Sequence, residues 1–66
     1  MTRQEIRDLR DRLGWSRERM AQELGVSAST IVRWEAGATR PSNLATQALE
    51  RLTRRVRAGD VQAADR

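Results

Sequence analysis

Two short helical patterns in the middle of the chain are separated by little more than a single glycine. The first follows Ser16 and ends at Gly25, and the second follows Ser27, only two residues later. A serine before a helix accepts hydrogen bonds from free backbone N–H groups, and glycine readily adopts the left-handed conformation that ends a helix. Helices joined by so short a turn cross steeply, at about 90–120°. The middle of the chain therefore predicts a compact pair of crossed helices.

Helical signals also flank this pair, so the chain predicts an all-α fold. Thr2 and Glu5 have the spacing of a capping box, which starts a helix that ends at Gly14. A longer helix follows Pro41 and ends near Gly59. Neither Phe nor Tyr occurs, and no stretch alternates β-branched with polar residues, so we expect no strands.

One domain accounts for this pattern. We expect a compact bundle of four helices over residues 1–58, with a fifth helix left open, and a frayed polar tail over residues 59–66. The two tryptophans, Trp15 and Trp34, have the spacing of core residues and are expected to pack there. The last helix is expected to close the core through three leucines, Leu44, Leu49 and Leu52. Its smaller apolar residues would leave surface for a two-fold partner at Ala45, Ala48 or Val56.

Composition excludes several classes of function. The 66 residues include neither cysteine nor histidine, which excludes disulfides, thiolate or imidazole metal ligands, and a proton shuttle near neutral pH. We therefore expect no enzyme, no catalytic residue, no metal and no cofactor. No apolar run approaches the roughly 18 residues that a membrane span needs, and the first residues of the sequence carry charge without an apolar stretch, so we expect no leader peptide. A cytoplasmic protein without a membrane partner is expected.

The charged residues taken alone favour a nucleic-acid partner only mildly. All 13 basic residues are arginine, and nine acidic residues leave a net charge of +4. Arginine binds phosphate and guanine in a bidentate manner, but it also solvates ordinary protein surface. A cluster near the C-terminus allows both interpretations, and we favour a solvated helix face for it: Arg51, Arg54, Arg55 and Arg57.

The residues from Leu13 to Ser42 carry a resemblance to a known family. Their sequence, LGWSRERMAQELGVSASTIVRWEAGATRPS, resembles the DNA-binding helix-turn-helix of the phage-repressor and Cro (XRE-like) regulators, and the resemblance covers roughly residues 3–57. It implies a lambda-repressor-like fold whose third helix, residues 27–35, enters the major groove of double-stranded DNA. It also implies a small bacterial or phage-encoded transcription regulator, expected to be a repressor, that binds a palindromic operator as a homodimer.

The outer face of this third helix is the expected base-reading surface. Ala28 and Ser29 are short enough for the helix backbone to approach base edges, and Val32 and Arg33 follow on the same face. We expect Arg33 to donate two hydrogen bonds to guanine, and Ser29 to contact a base or a phosphate. The apolar Ala28 and Val32 are expected to meet thymine methyl groups.

Phosphate contacts are expected at both ends of the motif. Free N–H groups and the positive end of a helix dipole favour an anion at a helix start, where the candidates are Ser16, Arg17 and Ser27. Family members usually carry glutamine where Arg17 stands, and arginine makes the same contact with added charge. On the far side, the loop into the last helix matches positions where the family contacts the DNA backbone: Gly37, Thr39, Arg40 and Asn43.

Arg10 and Glu35 stand apart from the predicted DNA contacts. Arg10 lies on the apolar face of the first helix, and Glu35 ends the third. The family resemblance implies that they form a partly buried salt bridge with a scaffold role. The acidic residues of the first two helices interleave with arginines, which indicates a solvated face and not a catalytic pair of carboxylates.

A different class of function stays open for the same helical scaffold. It could serve as an antitoxin-type protein or a protein-interaction module, because a fold does not dictate a function. Acidic or broadly apolar residues on the outer face of the third helix would favour such a protein partner. That face instead carries Arg33 and lies between Arg17 and Arg40 in the chain, which favours DNA.

Overall fold

In a computed structural model, which describes residues 1–59, the chain folds into four helices. They are α1 (Arg3–Leu13), α2 (Arg17–Leu24), α3 (Ala28–Ala36) and α4 (Asn43–Arg57). No strand occurs within the described range, so the predicted all-α fold is confirmed. The polar tail predicted for residues 59–66 lies outside that range apart from Gly59, and so would a fifth helix after it. None of the four helices is long and apolar enough to cross a membrane.

Side-chain caps set where the helices begin. Thr2 Oγ1 accepts a hydrogen bond from the N–H of Glu5 at 3.2 Å, and the Glu5 carboxylate accepts one from the N–H of Thr2 at 2.9 Å. This is the predicted capping box. Ser16 and Ser27 cap α2 and α3, and α4 begins after Ser42, a cap that the sequence pattern did not indicate. Each cap satisfies backbone N–H groups that have no partner within the helix.

The core lies where α1, α2 and α3 meet, and α4 closes it. α3 packs against both α1 and α2, and α4 contacts α2. The buried hydrophobic residues include both tryptophans, as their spacing predicts, and are Ile6, Leu9, Leu13, Trp15, Met20, Ala21, Ile31, Trp34, Leu49 and Leu52. Within residues 1–59, every buried side-chain polar atom has a hydrogen-bond partner.

The prediction that Leu44 closes the core is wrong. Leu44 is 77% exposed, whereas Leu49 and Leu52 are buried and define the core-facing side of α4. Leu44 lies about 140° around the helix from Leu49, which turns its side chain away from the core. Ala45 and Val56 are half-buried and pack partly against the core, so they present less free apolar surface than their spacing predicts.

Two leucines of α4 provide a matched test of this packing. Leu49→Ala removes a fully buried side chain, and we expect it to lower the free energy of unfolding by about 2–5 kcal/mol. Leu44→Ala removes the same atoms from an exposed position, and we expect a change within about 0.5 kcal/mol. Urea denaturation followed by circular dichroism measures both. Equal losses in the two variants would contradict this assignment of the core-facing side.

Candidate nucleic-acid interface

The interface is built on the turn that joins α2 to α3. Gly25 ends α2 with a φ of +73°, and the N–H of Val26 donates to the carbonyl oxygen of Ala21 at 2.9 Å. A Cβ at Gly25 would meet nothing within 4 Å, so its positive φ, and not crowding, accounts for the glycine. The cap of α3, Ser27, follows at once. The short turn therefore sets how α3 lies against α2.

Packing against α1 and α2 decides which face of α3 remains exposed. Ile31 and Trp34 are buried, and Met20 of α2 is buried beside the same core. Since the apolar residues of α3 occupy one side of the helix, its opposite side faces solvent.

The solvent-facing side of α3 carries the residues predicted to contact bases. Ser29 and Arg33 are exposed, and Val32 is 49% exposed. Ala28 is half-buried and packs partly against the core, so it presents less surface than the sequence predicts. The one acidic residue of α3, Glu35, has only 6% of its side chain exposed. The exposed face of α3 is therefore narrow, partly apolar and positively charged.

The serines predicted to bind phosphate are exposed and already serve as caps. Ser16 Oγ accepts a hydrogen bond from the N–H of Arg19 at 3.0 Å, and Ser27 Oγ accepts one from the N–H of Thr30 at 3.2 Å. A hydroxyl group can accept and donate at the same time. Capping therefore leaves the Ser16 hydroxyl able to donate to a phosphate, whereas the Ser27 hydroxyl also lies 2.9 Å from that of Thr30.

The other predicted phosphate contacts are all exposed. Gly37, Thr39 and Arg40 lie in the loop between α3 and α4, and Asn43 is the first residue of α4. Arg3 of α1 lies against this loop, because its Nη1 donates to the carbonyl oxygen of Ala36 at 3.3 Å. A Cβ at Gly37 would come 3.0 Å from the same nitrogen. A cleft of about 600 Å³ opens here, lined in part by Arg3, Thr39 and Arg40. No sequence signal indicated the contact of Arg3, since it joins residues 33 positions apart.

Glu35 is the centre of a hydrogen-bonded network at the edge of the interface. Arg10 donates from Nε to Oε2 at 2.7 Å and from Nη2 to Oε1 at 3.1 Å, and its Nη1 donates to the carbonyl oxygen of Trp15 at 3.1 Å. Arg17 donates from Nε to Oε1 of the same carboxylate at 3.2 Å. The salt bridge between Arg10 and Glu35 is therefore present in the structure. The sequence pattern missed the second arginine, Arg17.

The network shifts the protonation equilibria of its members. Burial of the Glu35 carboxylate acts to raise its pKa, but the hydrogen bonds and charges of Arg10 and Arg17 outweigh burial and hold that pKa below its ordinary value of 4.5. The same carboxylate raises the pKa of Arg10, chiefly through the hydrogen bond between them. Glu35 is therefore ionised at neutral pH, and both arginines keep an anionic partner.

The remaining arginines near the interface differ in their partners. Arg19 donates from Nε to Glu23 at 3.2 Å, and its guanidinium carbon lies 4.8 Å from the ring centroid of Trp15.

The four arginines at the end of α4 are exposed and form no ion pair within residues 1–59: Arg51, Arg54, Arg55 and Arg57. Their exposure is compatible with the solvated helix face that the sequence favours.

The exposed side chains of the candidate interface are mainly hydrogen-bond donors. Within residues 1–59, no group of acidic residues could hold a metal ion. The exposed guanidinium groups of Arg17, Arg33 and Arg40 can each form two parallel hydrogen bonds to a phosphate or to the edge of a guanine. The exposed hydroxyls of Ser29 and Thr39 add smaller donors. These groups suit recognition of an anionic polymer.

Comparison with known proteins concerns the same part of the chain. The helix-turn-helix family model matches residues 6–57, which is more than half of the chain. The match begins within α1 and ends with the last residue of α4, so it includes the α2–α3 pair and the loop that follows it. No curated protein and no solved structure gives a significant match.

The lowered pKa of Glu35 predicts how acid affects the fold. Its ionised form stabilises the fold above about pH 4.5, and this contribution is lost as the pH falls through the lower pKa of the folded state. On acidification from about pH 7 to about pH 3, we expect the wild type to lose more stability than Glu35→Gln. Glu5, whose pKa the hydrogen bonds of Thr2 also lower, titrates equally in both proteins. Urea unfolding at a series of pH values measures the difference, and parallel pH profiles would contradict it.

Proposed function

Because the chain belongs to the helix-turn-helix family of phage-repressor and Cro-type regulators, we propose that it is a small transcription regulator that recognises a specific double-stranded DNA site. The observation that carries this proposal is the exposed face of α3. Ser29, Val32 and Arg33 face solvent there, while the only carboxylate of α3, that of Glu35, is turned towards Arg10. A face without an exposed acid favours DNA over a basic protein partner.

Sequence recognition comes from α3 in the major groove. Arg33 donates to O6 and N7 of a guanine, and Ser29 contacts a base edge or a neighbouring phosphate. The two methyl groups of Val32, and in part the single methyl group of the half-buried Ala28, meet thymine methyl groups. Because these side chains are short except for Arg33, the backbone of α3 can approach the base edges closely.

Phosphate contacts on both sides of α3 hold the domain on the duplex. Ser16 and Arg17 contact the backbone at the start of α2, where free N–H groups point outward, and Ser27 does so at the start of α3. The contacts on the other side come from Gly37, Thr39 and Arg40 in the loop before α4 and from Asn43, the first residue of α4. The exposure of these residues supports this assignment.

The regulator acts as a repressor in the bacterial cytoplasm and is encoded by a bacterium or a phage. It binds a palindromic operator as a homodimer. Dimers of this motif place their recognition helices in half-sites about 34 Å apart or multiples of that distance. The exposed Leu44 at the start of α4 is the largest apolar side chain that α4 leaves uncovered in the single chain. It supports a role for α4 in the dimer.

Selection of bound duplexes from a random pool tests the proposed function. We expect the full chain to enrich a short motif containing a guanine, present twice in inverted orientation at a fixed spacing. An enriched motif without inverted repeats would contradict the palindromic operator. A pool that shows no enrichment, although the protein is folded by circular dichroism, would contradict sequence-specific DNA binding.

Arg33 and Arg40 should affect DNA binding in different ways. Arg33→Ala should cost about 1–3 kcal/mol on the selected duplex and little on random duplex, because only the base contact depends on sequence. Arg40→Ala should weaken both duplexes to a similar extent and reduce the salt dependence of binding by about one unit, because it removes one phosphate contact. Fluorescence anisotropy titrations at several salt concentrations measure both effects. Equal losses from Arg33→Ala on the two duplexes would reassign Arg33 to the phosphates.

A further inference from the structure

Arg17 reaches Glu35 through only one of its nitrogen atoms. Its Nε donates to Glu35 Oε1 at 3.2 Å, and its terminal amino groups make no hydrogen bond within residues 1–59. A guanidinium group has five N–H donors in a fixed planar fork, so the edge formed by the two terminal nitrogens remains available. The Arg17 side chain is 44% exposed. It can therefore bind Glu35 and an external anion simultaneously.

The carboxylate that holds Arg17 is itself held by Arg10. Arg10 binds Glu35 in a bidentate manner, at 2.7 and 3.1 Å, and is tied in turn to the carbonyl oxygen of Trp15. The side chains of Arg10 and Glu35 are 13% and 6% exposed. Arg17 is thus the solvent-exposed end of a network whose other members are nearly buried.

Arg17 is the exposed cation of this network. Arg10 has a second acidic neighbour, since its Nη2 lies 3.9 Å from the Asp11 carboxylate, whereas Arg17 pairs with Glu35 alone. Arg17 is also the first residue of α2, where the helix dipole adds positive potential. Glu35 therefore orients an exposed guanidinium group at a helix start, where an anion is favoured.

We propose that Glu35 is a positioning residue for the phosphate contact of Arg17. Through the Nε hydrogen bond it directs the terminal edge of the Arg17 guanidinium outward, and it belongs to the same helix as Arg33. Glu35 therefore links the phosphate contact at the start of α2 to α3, the helix that reads the bases. This inference rests on the proposed DNA binding. It specifies how Arg17 is oriented for its phosphate contact in the free protein.

A double-mutant cycle on DNA affinity isolates this role. Glu35→Gln alone is ambiguous, because losing a negative charge strengthens long-range attraction to DNA. The substitution also leaves one acceptor oxygen in place of two, for which Arg10 and Arg17 compete, and so loosens Arg17. In the presence of Glu35, we expect Arg17→Ala to weaken duplex binding by about tenfold. In the Glu35→Gln background, the same substitution should weaken binding by about twofold or less, because Arg17 is no longer positioned. Each variant is compared at a temperature where circular dichroism shows it folded.

Arg19 and Glu23 offer a matched control on the same helix. Their Nε to Oε1 distance is also 3.2 Å, but both residues are exposed and neither forms a hydrogen bond with Glu35. The cycle of Arg19→Ala and Glu23→Gln should therefore be additive in DNA affinity to within about a factor of two. Coupling of equal size in both cycles would show a general charge effect and overturn the proposal.

Arg17→Lys tests the same idea while both partners of the Arg10–Glu35 salt bridge stay in place. Lysine keeps the positive charge but has no planar fork to divide between a carboxylate and a phosphate. We expect this variant to retain the stability of the wild type and to lose about fivefold or more of its DNA affinity. Wild-type affinity in Arg17→Lys, or an additive cycle of Arg17 and Glu35, would overturn the positioning role. A wild-type chain that binds no duplex would instead overturn the proposed function itself.

Discussion

The carboxylate of Glu35 is the group on which three segments of this small fold converge. Arg10 reaches it from α1, Arg17 reaches it from the start of α2, and Glu35 itself lies near the end of α3. Removing one partner of a fully buried ion pair costs about 3–5 kcal/mol, because the other charge is left without compensation, and this is the upper limit for the partly buried pair of Arg10 and Glu35. That is a large share of the roughly 5–15 kcal/mol by which domains are stable. No disulfide is available to offset such a loss in this chain.

The same contact shapes the surface offered to DNA. Glu35 and Arg33 are two residues apart and therefore lie about 200° apart around α3, on nearly opposite faces. Because the Glu35 carboxylate is hydrogen-bonded to Arg10 and shielded from solvent, the exposed face of α3 presents the guanidinium group of Arg33 and no carboxylate. Packing and electrostatics thus depend on one another: the ion pair that joins α3 to α1 also leaves the candidate reading face positive.

Local features of this fold were predictable from sequence, and contacts between distant segments were not. The capping box of Thr2 and the turn at Gly25 depend on residues three to five positions apart, so their spacing predicts them. The orientation of α4 depends on its packing against the other helices, and Leu44 was therefore placed wrongly in the core. The predicted interface residues are mostly exposed, but the bond of Arg17 to Glu35 spans 18 positions and arises only from the crossing of α2 and α3.

Mapping amide chemical shifts of the isotope-labelled protein during titration with a selected duplex tests the placement of the interface most directly. The largest shifts should come from residues 28–33 of α3, with further shifts at the start of α2 and in residues 37–43. Residues 51–57, which include the exposed arginines of α4, should change little. Dominant shifts in residues 51–57 with α3 unchanged would contradict the account and move the DNA-binding surface to the end of α4.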